Sequence, residues 1–244
     1  MKALFAGPSL HGDIVAGRFA AAPEIVCRGP AAQGDIAAAV LDGATAIGLV
    51  DGRYEDVAAP WHKEILFALS EGVTVFGGGS LGALRAAECA RFGMTGVGEI
   101  FARYTSGDLI DDSAVAQIHA PAELDYAPLS EALVNVEATL SRLAVRGLID
   151  PALAAALEAS ARSLFFKQLT YAAVVERAGA PAATLALIAG HRVDQKRADA
   201  LELVGRLRAC PDVRGERPDW ELARPSAWRR QFERFVEARR DAKS

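Results

Sequence analysis

Ser80 is the residue whose neighbours best prepare it for chemistry. It follows an apolar run at residues 73–76 and three glycines, and a predicted helix begins directly after it. The pattern Gly78-x-Ser80-x-Gly82 between a strand and a helix is typical of a nucleophile elbow, a sharp turn that exposes a serine hydroxyl. The amide of Leu81 and the helix N-terminus would stabilise negative charge on a reacting oxygen. The turn therefore predicts acyl transfer with Ser80 as the nucleophile.

The same turn fits other interpretations. Gly77-x-Gly79-x-x-Gly82 matches the dinucleotide-binding fingerprint, but that fingerprint normally follows the first strand and has an acidic residue about 20 positions later. The helix N-terminus could also bind phosphate or another anion. Ser80 could serve only as the helix N-cap. The local sequence leaves nucleophile, anion binding and capping open.

A serine nucleophile needs a base, and the nearest candidates by position are His62 and Lys63. Both begin a predicted helix beside Glu64, so they should start at the same rim of the sheet as Ser80. A typical elbow hydrolase has its histidine after the serine, yet the later His119 and His191 have no motif around them. Lys63 could act if burial lowers its pKa. A Ser-His or Ser-Lys pair competes here with a plain exposed first turn.

Other polar residues should meet Ser80 at one edge of the sheet, because ligands of an open parallel sheet bind beyond the carboxyl ends of its strands. Ser9 follows the first predicted strand and Asp51 the third. Arg85 lies one helical turn beyond Ser80, within reach of a substrate carboxylate, although it could equally pair with Glu88. The candidate substrate-binding residues are Ser9, Asp51, Glu64, Gly78, Gly79, Leu81, Arg85, Asp111 and Asp112.

Three aspartates lie close together in sequence at 108, 111 and 112. Carboxylates at such spacing could orient a base or bind a cation, but they more often cap a turn. The three cysteines are widely separated and form neither a zinc-binding nor a disulfide motif. We therefore predict no metal site and no cofactor.

Composition limits the class of protein. Apolar residues make up 51% of the 244 residues and charged residues 24%, which favours a folded core over disorder. The net charge of −4 gives no basis for general nucleic-acid binding, although basic residues outnumber acidic ones by 14 to 10 from residue 192 onward. The N-terminus does not read as a signal peptide, and no apolar run approaches the ~18 residues of a membrane span. We expect a cytoplasmic protein that binds no nucleic acid and no membrane.

The elements that must position these residues alternate along the first half of the chain. Buried strands are predicted at residues 3–6, 25–27, 46–50, 73–76 and 114–119, and helices at 33–41, 61–70 and 81–92. This order predicts an α/β class with a Rossmann-like, mostly parallel sheet that carries helices on both faces.

The second half is predicted to be helical. Helices are indicated at 129–145, 151–178, 182–189, 194–209 and 228–239, with a polar loop at 211–225. We predict an α/β core domain at residues 1–126 and an all-helical C-terminal region at 127–244.

Several stretches resemble the TfuA-like family. They are AIGLVDG at 46–52, WHKEIL at 61–66, VFGGGSLGALRAAE at 75–88 and FGMTGVGEIF at 92–101, followed by the Asp111-Asp112 pair with Val115 and Ala116. The resemblance covers about residues 2–120. One departure is visible, since Ser113 and Ala114 stand where the acidic cluster of the family often continues.

The resemblance implies a role in thioamidation of peptide backbones beside a YcaO-type enzyme, which activates the amide with ATP. It also implies that sulfur comes from the C-terminal thiocarboxylate of a ubiquitin-like sulfur carrier protein. Hydrolysis of that group is acyl transfer to water, so we expect Ser80 to attack it while His62 or Lys63 moves the protons. A precursor peptide would be a further partner. The alternatives are a non-catalytic adaptor for the carrier and the YcaO enzyme, and a nucleotide- or phosphate-binding domain.

Overall fold

The computed structural model describes residues 1–13, 25–53 and 57–241, with side chains up to 237. Within these residues, five parallel strands form one sheet in the order β2-β1-β3-β4-β5. The strands are β1 (Lys2–Phe5), β2 (Ile25–Arg28), β3 (Ala46–Leu49), β4 (Thr74–Gly78) and β5 (Thr95–Val97). The predicted α/β class with a parallel sheet is confirmed.

The strands are short apolar runs because both faces of the sheet are covered. Ala3 and Phe5 of β1 point to one face, while Leu4 and Ala6 point to the other. All four side chains are buried. The chain leaves β1 toward β2 on one side and continues from β3 toward β4 on the other, so the switch point of this doubly wound sheet lies between β1 and β3.

The helices follow the predicted alternation and then dominate the second half of the chain. They are α1 (Asp35–Leu41), α2 (His62–Ser70), α3 (Leu81–Cys89), α4 (Glu99–Ser106), α5 (Leu133–Val145), α6 (Pro151–Ser163), α7 (Tyr171–Arg177), α8 (Ala183–His191), α9 (Gln195–Ala209) and α10 (Ser226–Asp241). No helix in the described part of the chain is long and apolar enough to cross a membrane.

Two C-terminal helices pack directly on the sheet. Ala200 and Leu203 of α9 are buried in the cluster that contains Leu4, so α9 covers one face. Trp228 of α10 is buried in the cluster on the other face, which also contains residues of α1, α2 and α3.

Helices α5 to α8 pack around an apolar cluster of their own. The predicted helical C-terminal region is therefore confirmed. Its division from the core domain between residues 126 and 127 stays a prediction.

Two predicted elements differ in the structure, and β5 and α4 were not predicted from the sequence. The strand predicted at 114–119 is wrong: the chain forms a 3₁₀ helix at Asp112–Val115 and then an extended segment. There the Val115 carbonyl accepts a hydrogen bond from Lys196, and the extended segment forms an isolated antiparallel bridge between His119 and Pro128 instead of joining the sheet. The helix predicted at 151–178 is interrupted between α6 and α7, where Thr170 caps α7 by accepting a bond from the Ala173 amide.

Candidate functional site

The turn between β4 and α3 is tightly packed around Ser80. Gly79 has a φ of +73°, a conformation that side chains other than glycine rarely adopt. A Cβ on Gly82 would lie 1.8 Å from the carbonyl oxygen of Leu49, so only glycine allows α3 to start against the end of β3. Ser80 is 6% exposed at the N-cap position of α3.

The hydroxyl of Ser80 does not cap the helix. It faces the carbonyl oxygen of Val115 at 3.5 Å, a long contact, and makes no hydrogen bond to an amide of α3. Within the described residues, the amide of Leu81 also has no hydrogen-bond acceptor. The turn thus places a weakly hydrogen-bonded hydroxyl beside an amide without an acceptor at a helix N-terminus. In this arrangement the hydroxyl can attack a carbonyl carbon while the amide donates to the resulting oxyanion.

Asp51 and Ser9 form the floor of the site at the switch point of the sheet. Both are buried. One carboxylate oxygen of Asp51 accepts hydrogen bonds from the amides of Gly7 at 2.8 Å and Ser9 at 3.0 Å, and the other accepts from the Ser9 hydroxyl at 2.7 Å. Asp51 thereby ties the loop after β1 to the end of β3 and places a carboxylate close to Ser80.

A lysine that the sequence analysis missed completes this cluster. Lys196, in the first turn of α9, is 1% exposed. Its ammonium nitrogen donates to the Val115 carbonyl at 2.9 Å and to Oε1 of Gln117 at 2.6 Å, and it lies 3.9 Å from Oδ1 of Asp51. Burial lowers the pKa of Lys196 below its ordinary value of 10.5, while nearby carboxylates, Asp51 foremost, oppose the shift.

The sequence did carry a signal for Lys196. It precedes Ala200, Leu203 and Leu207 at helical spacing, so it falls on the apolar stripe of α9, where a lysine is unexpected.

These side chains enclose a small closed cavity. It has a volume of about 10 Å³ and is lined by Asp51, Ser80, Lys196, Gln117 and His119, among others. This is about the space of one water molecule. A much larger open groove of about 690 Å³ lies elsewhere, along α5 and α6, and Ser80 does not line it.

His62 and Lys63, the bases predicted from sequence, do not line this cavity. Nε2 of His62 contacts Oε2 of Glu88 at 2.8 Å, and Lys63 donates to the Ala223 carbonyl at 3.0 Å. Arg85 also binds Glu88, at 2.6 Å. This is the i,i+3 pair that the sequence analysis gave as the alternative to binding a substrate carboxylate. Partial burial raises the pKa of Glu88, but the hydrogen bonds from His62 and Arg85 outweigh it and lower that pKa overall. These residues form a separate, partly exposed cluster on α2 and α3.

Glu64 is fully buried and does not line the cavity. Its carboxylate accepts hydrogen bonds from the N-termini of α1 and α2. Oε2 accepts hydrogen bonds from the amides of Gly34 at 2.8 Å and Ala37 at 3.3 Å, and Oε1 accepts from the amide of Trp61 at 3.1 Å. Burial raises the pKa of Glu64 from 4.5 to about 7, although these amide bonds oppose the change.

The three aspartates lie at the surface before the segment that covers Ser80. Asp108 binds the hydroxyl of Ser106 at 2.8 Å, and the carbonyl of Asp111 accepts from the hydroxyl of Tyr104 at 2.9 Å. Asp112 begins the 3₁₀ helix. Across the ranges that the structure describes, no group of three or more His, Cys, Asp or Glu side chains is arranged to hold a metal ion.

The comparisons with known proteins bear on the same part of the chain. A search among curated proteins found no significant match. The family model of TfuA-like proteins matches residues 51–170. That span begins at Asp51 and includes Ser80 and Val115, whereas Lys196 lies outside it. The resemblance inferred from the sequence is confirmed, since residues 51–170, just under half of the chain, match the TfuA-like protein family.

Proposed function

We propose that this protein hydrolyses the C-terminal thiocarboxylate of a ubiquitin-like sulfur carrier through Ser80, and so delivers sulfide for thioamidation of a peptide by a YcaO-type enzyme. The match of residues 51–170 to the TfuA-like family supports a role in the TfuA/YcaO system and a partnership with a YcaO-type enzyme. The observation that carries the hydrolytic step is the Ser80 hydroxyl, which is free of the helix cap and faces a polar cavity beside the α3 N-terminus.

The reaction divides into two acyl transfers. Ser80 Oγ forms a bond to the thiocarboxylate carbon, and the resulting oxyanion is stabilised by the Leu81 amide and the positive end of α3. The carbon–sulfur bond then breaks, sulfide leaves, and the carrier is held as an ester of Ser80. Water attacks that ester and releases the carrier with an ordinary carboxylate. The sum is thiocarboxylate plus water to carboxylate plus hydrogen sulfide.

The anionic tail of the carrier suits this position. A helix N-terminus attracts negative charge, and the amide of Leu81 is available within it. Ser80, Asp51 and Ser9 also lie where ligands of doubly wound sheets bind, beyond the carboxyl ends of the strands at the switch point.

Sulfide release from a carrier thiocarboxylate tests the proposal, with the intact mass of the carrier followed in parallel. Ser80→Ala should lower the rate at least about 100-fold, because it removes the nucleophile. Ser160→Ala is the matched control: Ser160 is also 6% exposed, and its hydroxyl donates to the Val174 carbonyl at 2.9 Å within the helical region. A folded Ser80→Ala protein that releases sulfide at the original rate would refute the hydrolytic role.

One observation favours the adaptor as a second candidate. The cavity of about 10 Å³ admits no carrier tail in this conformation. An adaptor would bind the carrier and the YcaO enzyme without cleaving anything, so Ser80→Ala would support full thioamidation with unchanged binding. The nucleotide-binding alternative stays a prediction, and calorimetry with ATP, ADP and NAD tests it.

A further inference from the structure

Lys196 is an unusual residue to find in the core. It lies on the stripe of α9 that packs on the sheet, where its neighbours Ala200, Leu203 and Leu207 are apolar and buried. Removing an ammonium group from water is costly, and a methionine or leucine would fill the same space without that penalty. A buried lysine in a polar cavity is therefore a candidate for chemistry.

The charge of Lys196 is only partly balanced by its surroundings. Asp51, the nearest carboxylate, already accepts three hydrogen bonds from Gly7 and Ser9. The other acidic groups that act on Lys196 are Asp194 and Glu131. Asp194 caps α9 through the Arg197 amide, and Glu131 pairs with Arg192. Glu131 is thus paired with another cation, whereas Asp51 and Asp194 still favour the charged form of Lys196; burial outweighs them and lowers the pKa of Lys196, which favours the neutral amine.

The geometry joins this amine to Ser80. Lys196 Nζ and Ser80 Oγ both contact the carbonyl oxygen of Val115, at 2.9 Å and 3.5 Å, so this one oxygen bridges the amine and the hydroxyl. The Val115 carbonyl accepts a hydrogen bond from the amine and a longer one from the hydroxyl. Displacement of the Val115 carbonyl by a carrier tail would leave the hydroxyl and the amine free to approach each other.

We infer that Lys196 is the catalytic proton-transfer residue of Ser80, so that a helix outside the family-matched span completes the active site. This inference rests on the proposed hydrolase function. The neutral amine takes the proton of Ser80 Oγ as the Oγ–carbon bond forms, and the ammonium protonates the departing sulfide. In the second half of the reaction the amine takes a proton from the attacking water and returns it to Oγ as the ester bond breaks.

Lys196→Met is the decisive variant because it separates a catalytic role from a structural one. It fills the space of the lysine with an apolar side chain but leaves the Val115 carbonyl and Oε1 of Gln117 without their donor, so a modest fall in melting temperature is expected in a folded protein. Sulfide release should fall at least about 100-fold, as expected for loss of a general base. The rate of sulfide release by wild type should rise with pH, and this rise should be absent from Lys196→Met. Asp51, Asp194, Glu131 and Ser80 are the same in both proteins, so the difference between the two pH profiles reports on Lys196.

Lys2→Met is the matched control. Lys2 is also buried, but it lies at the start of β1, at the end of the strands opposite to Ser80. Its side chain donates to the Arg208 carbonyl at 2.9 Å. Its removal should leave sulfide release within about twofold of wild type, a change too small to indicate lost transition-state stabilisation.

A second variant covers the case in which Lys196→Met folds poorly. Lys196→Ala leaves a cavity in place of the lysine side chain, which added methylamine can fill. Methylamine should restore sulfide release in proportion to the concentration of its unprotonated form. A purely structural lysine would give no such dependence.

The outcomes distinguish this inference from the function on which it rests. If Ser80→Ala is inactive while Lys196→Met keeps the wild-type rate and pH profile, the role of Lys196 is overturned and the hydrolase stands. Loss of activity in His62→Ala or Lys63→Met, with Lys196→Met active, would restore the base predicted from sequence. No sulfide release by wild type from a carrier that it binds would overturn the proposed function itself.

Discussion

Glu64 offers a test of how burial and hydrogen bonding compete over one carboxyl group. Burial raises its pKa, whereas three amide donors from Gly34, Ala37 and Trp61 favour the charged form. The structure indicates that burial prevails, with a pKa of about 7 against the ordinary 4.5. Glu64→Gln removes the titration while keeping an oxygen acceptor and nearly the same volume.

The magnitude follows from the size of that shift. Each pKa unit corresponds to about 1.4 kcal/mol, so the change from 4.5 to about 7 amounts to about 3 kcal/mol. Because the folded pKa is raised, the native state holds the proton more tightly than the unfolded chain. The resulting stabilisation is fully present below pH 4.5 and is lost as the pH rises through 7. We expect wild type to lose roughly 2 to 3 kcal/mol relative to Glu64→Gln between about pH 5 and pH 8.

Urea unfolding of both proteins at the two pH values measures this difference. The contributions of all other titrating groups to the free energy of unfolding cancel when the two proteins are compared. Glu88→Gln serves as a control of opposite sign, because hydrogen bonds from His62 and Arg85 lower the pKa of Glu88. Wild type should gain stability relative to Glu88→Gln as the pH rises through the acidic range up to about 5, and the two proteins should change little relative to each other between about pH 5 and pH 8. A stability difference between wild type and Glu64→Gln that stays constant with pH, or changes in favour of wild type, would show that the amide donors outweigh burial.

Three further substitutions probe the frame of the site. Gly82→Ala should lower the free energy of unfolding by about 3 kcal/mol or more, since its methyl group would meet the Leu49 carbonyl at 1.8 Å and backbone must shift. Chemical denaturation measures this, and a near-neutral result would mean that α3 can move. Trp228→Ala should cost about 3–5 kcal/mol, because the buried ring anchors α10 on the sheet; faster proteolysis within α10 should accompany the loss. Asp51→Asn should cost about 2 kcal/mol, because its amide group must face amide donors of the loop after β1. An unchanged urea midpoint for Asp51→Asn would contradict the bonding described for that loop.

The elements around Ser80 were predictable because their signals are local. Short apolar runs ending in glycine indicated the strands, and helical spacing indicated α1, α2 and α3. The position of Ser80 between β4 and α3 followed from neighbouring residues alone. The segment 114–119 was mispredicted because its apolar pattern reflects burial against Ser80 and Lys196, and periodicity cannot distinguish such burial from pairing in a sheet.

The sequence by itself determined the parallel α/β order, the glycine turn and the rim at which Ser80, Asp51 and Ser9 meet, because the direction of successive strands brings their carboxyl ends together. Only the tertiary structure decided which basic group faces Ser80. His62 and Lys63 begin a helix at that rim, yet their side chains bind Glu88 and Ala223. Lys196 reaches the cavity from α9, because that helix packs across the sheet. The apolar stripe of α9 indicated that Lys196 is buried, but which site it faces depends on packing over the whole molecule, which local residue patterns do not record.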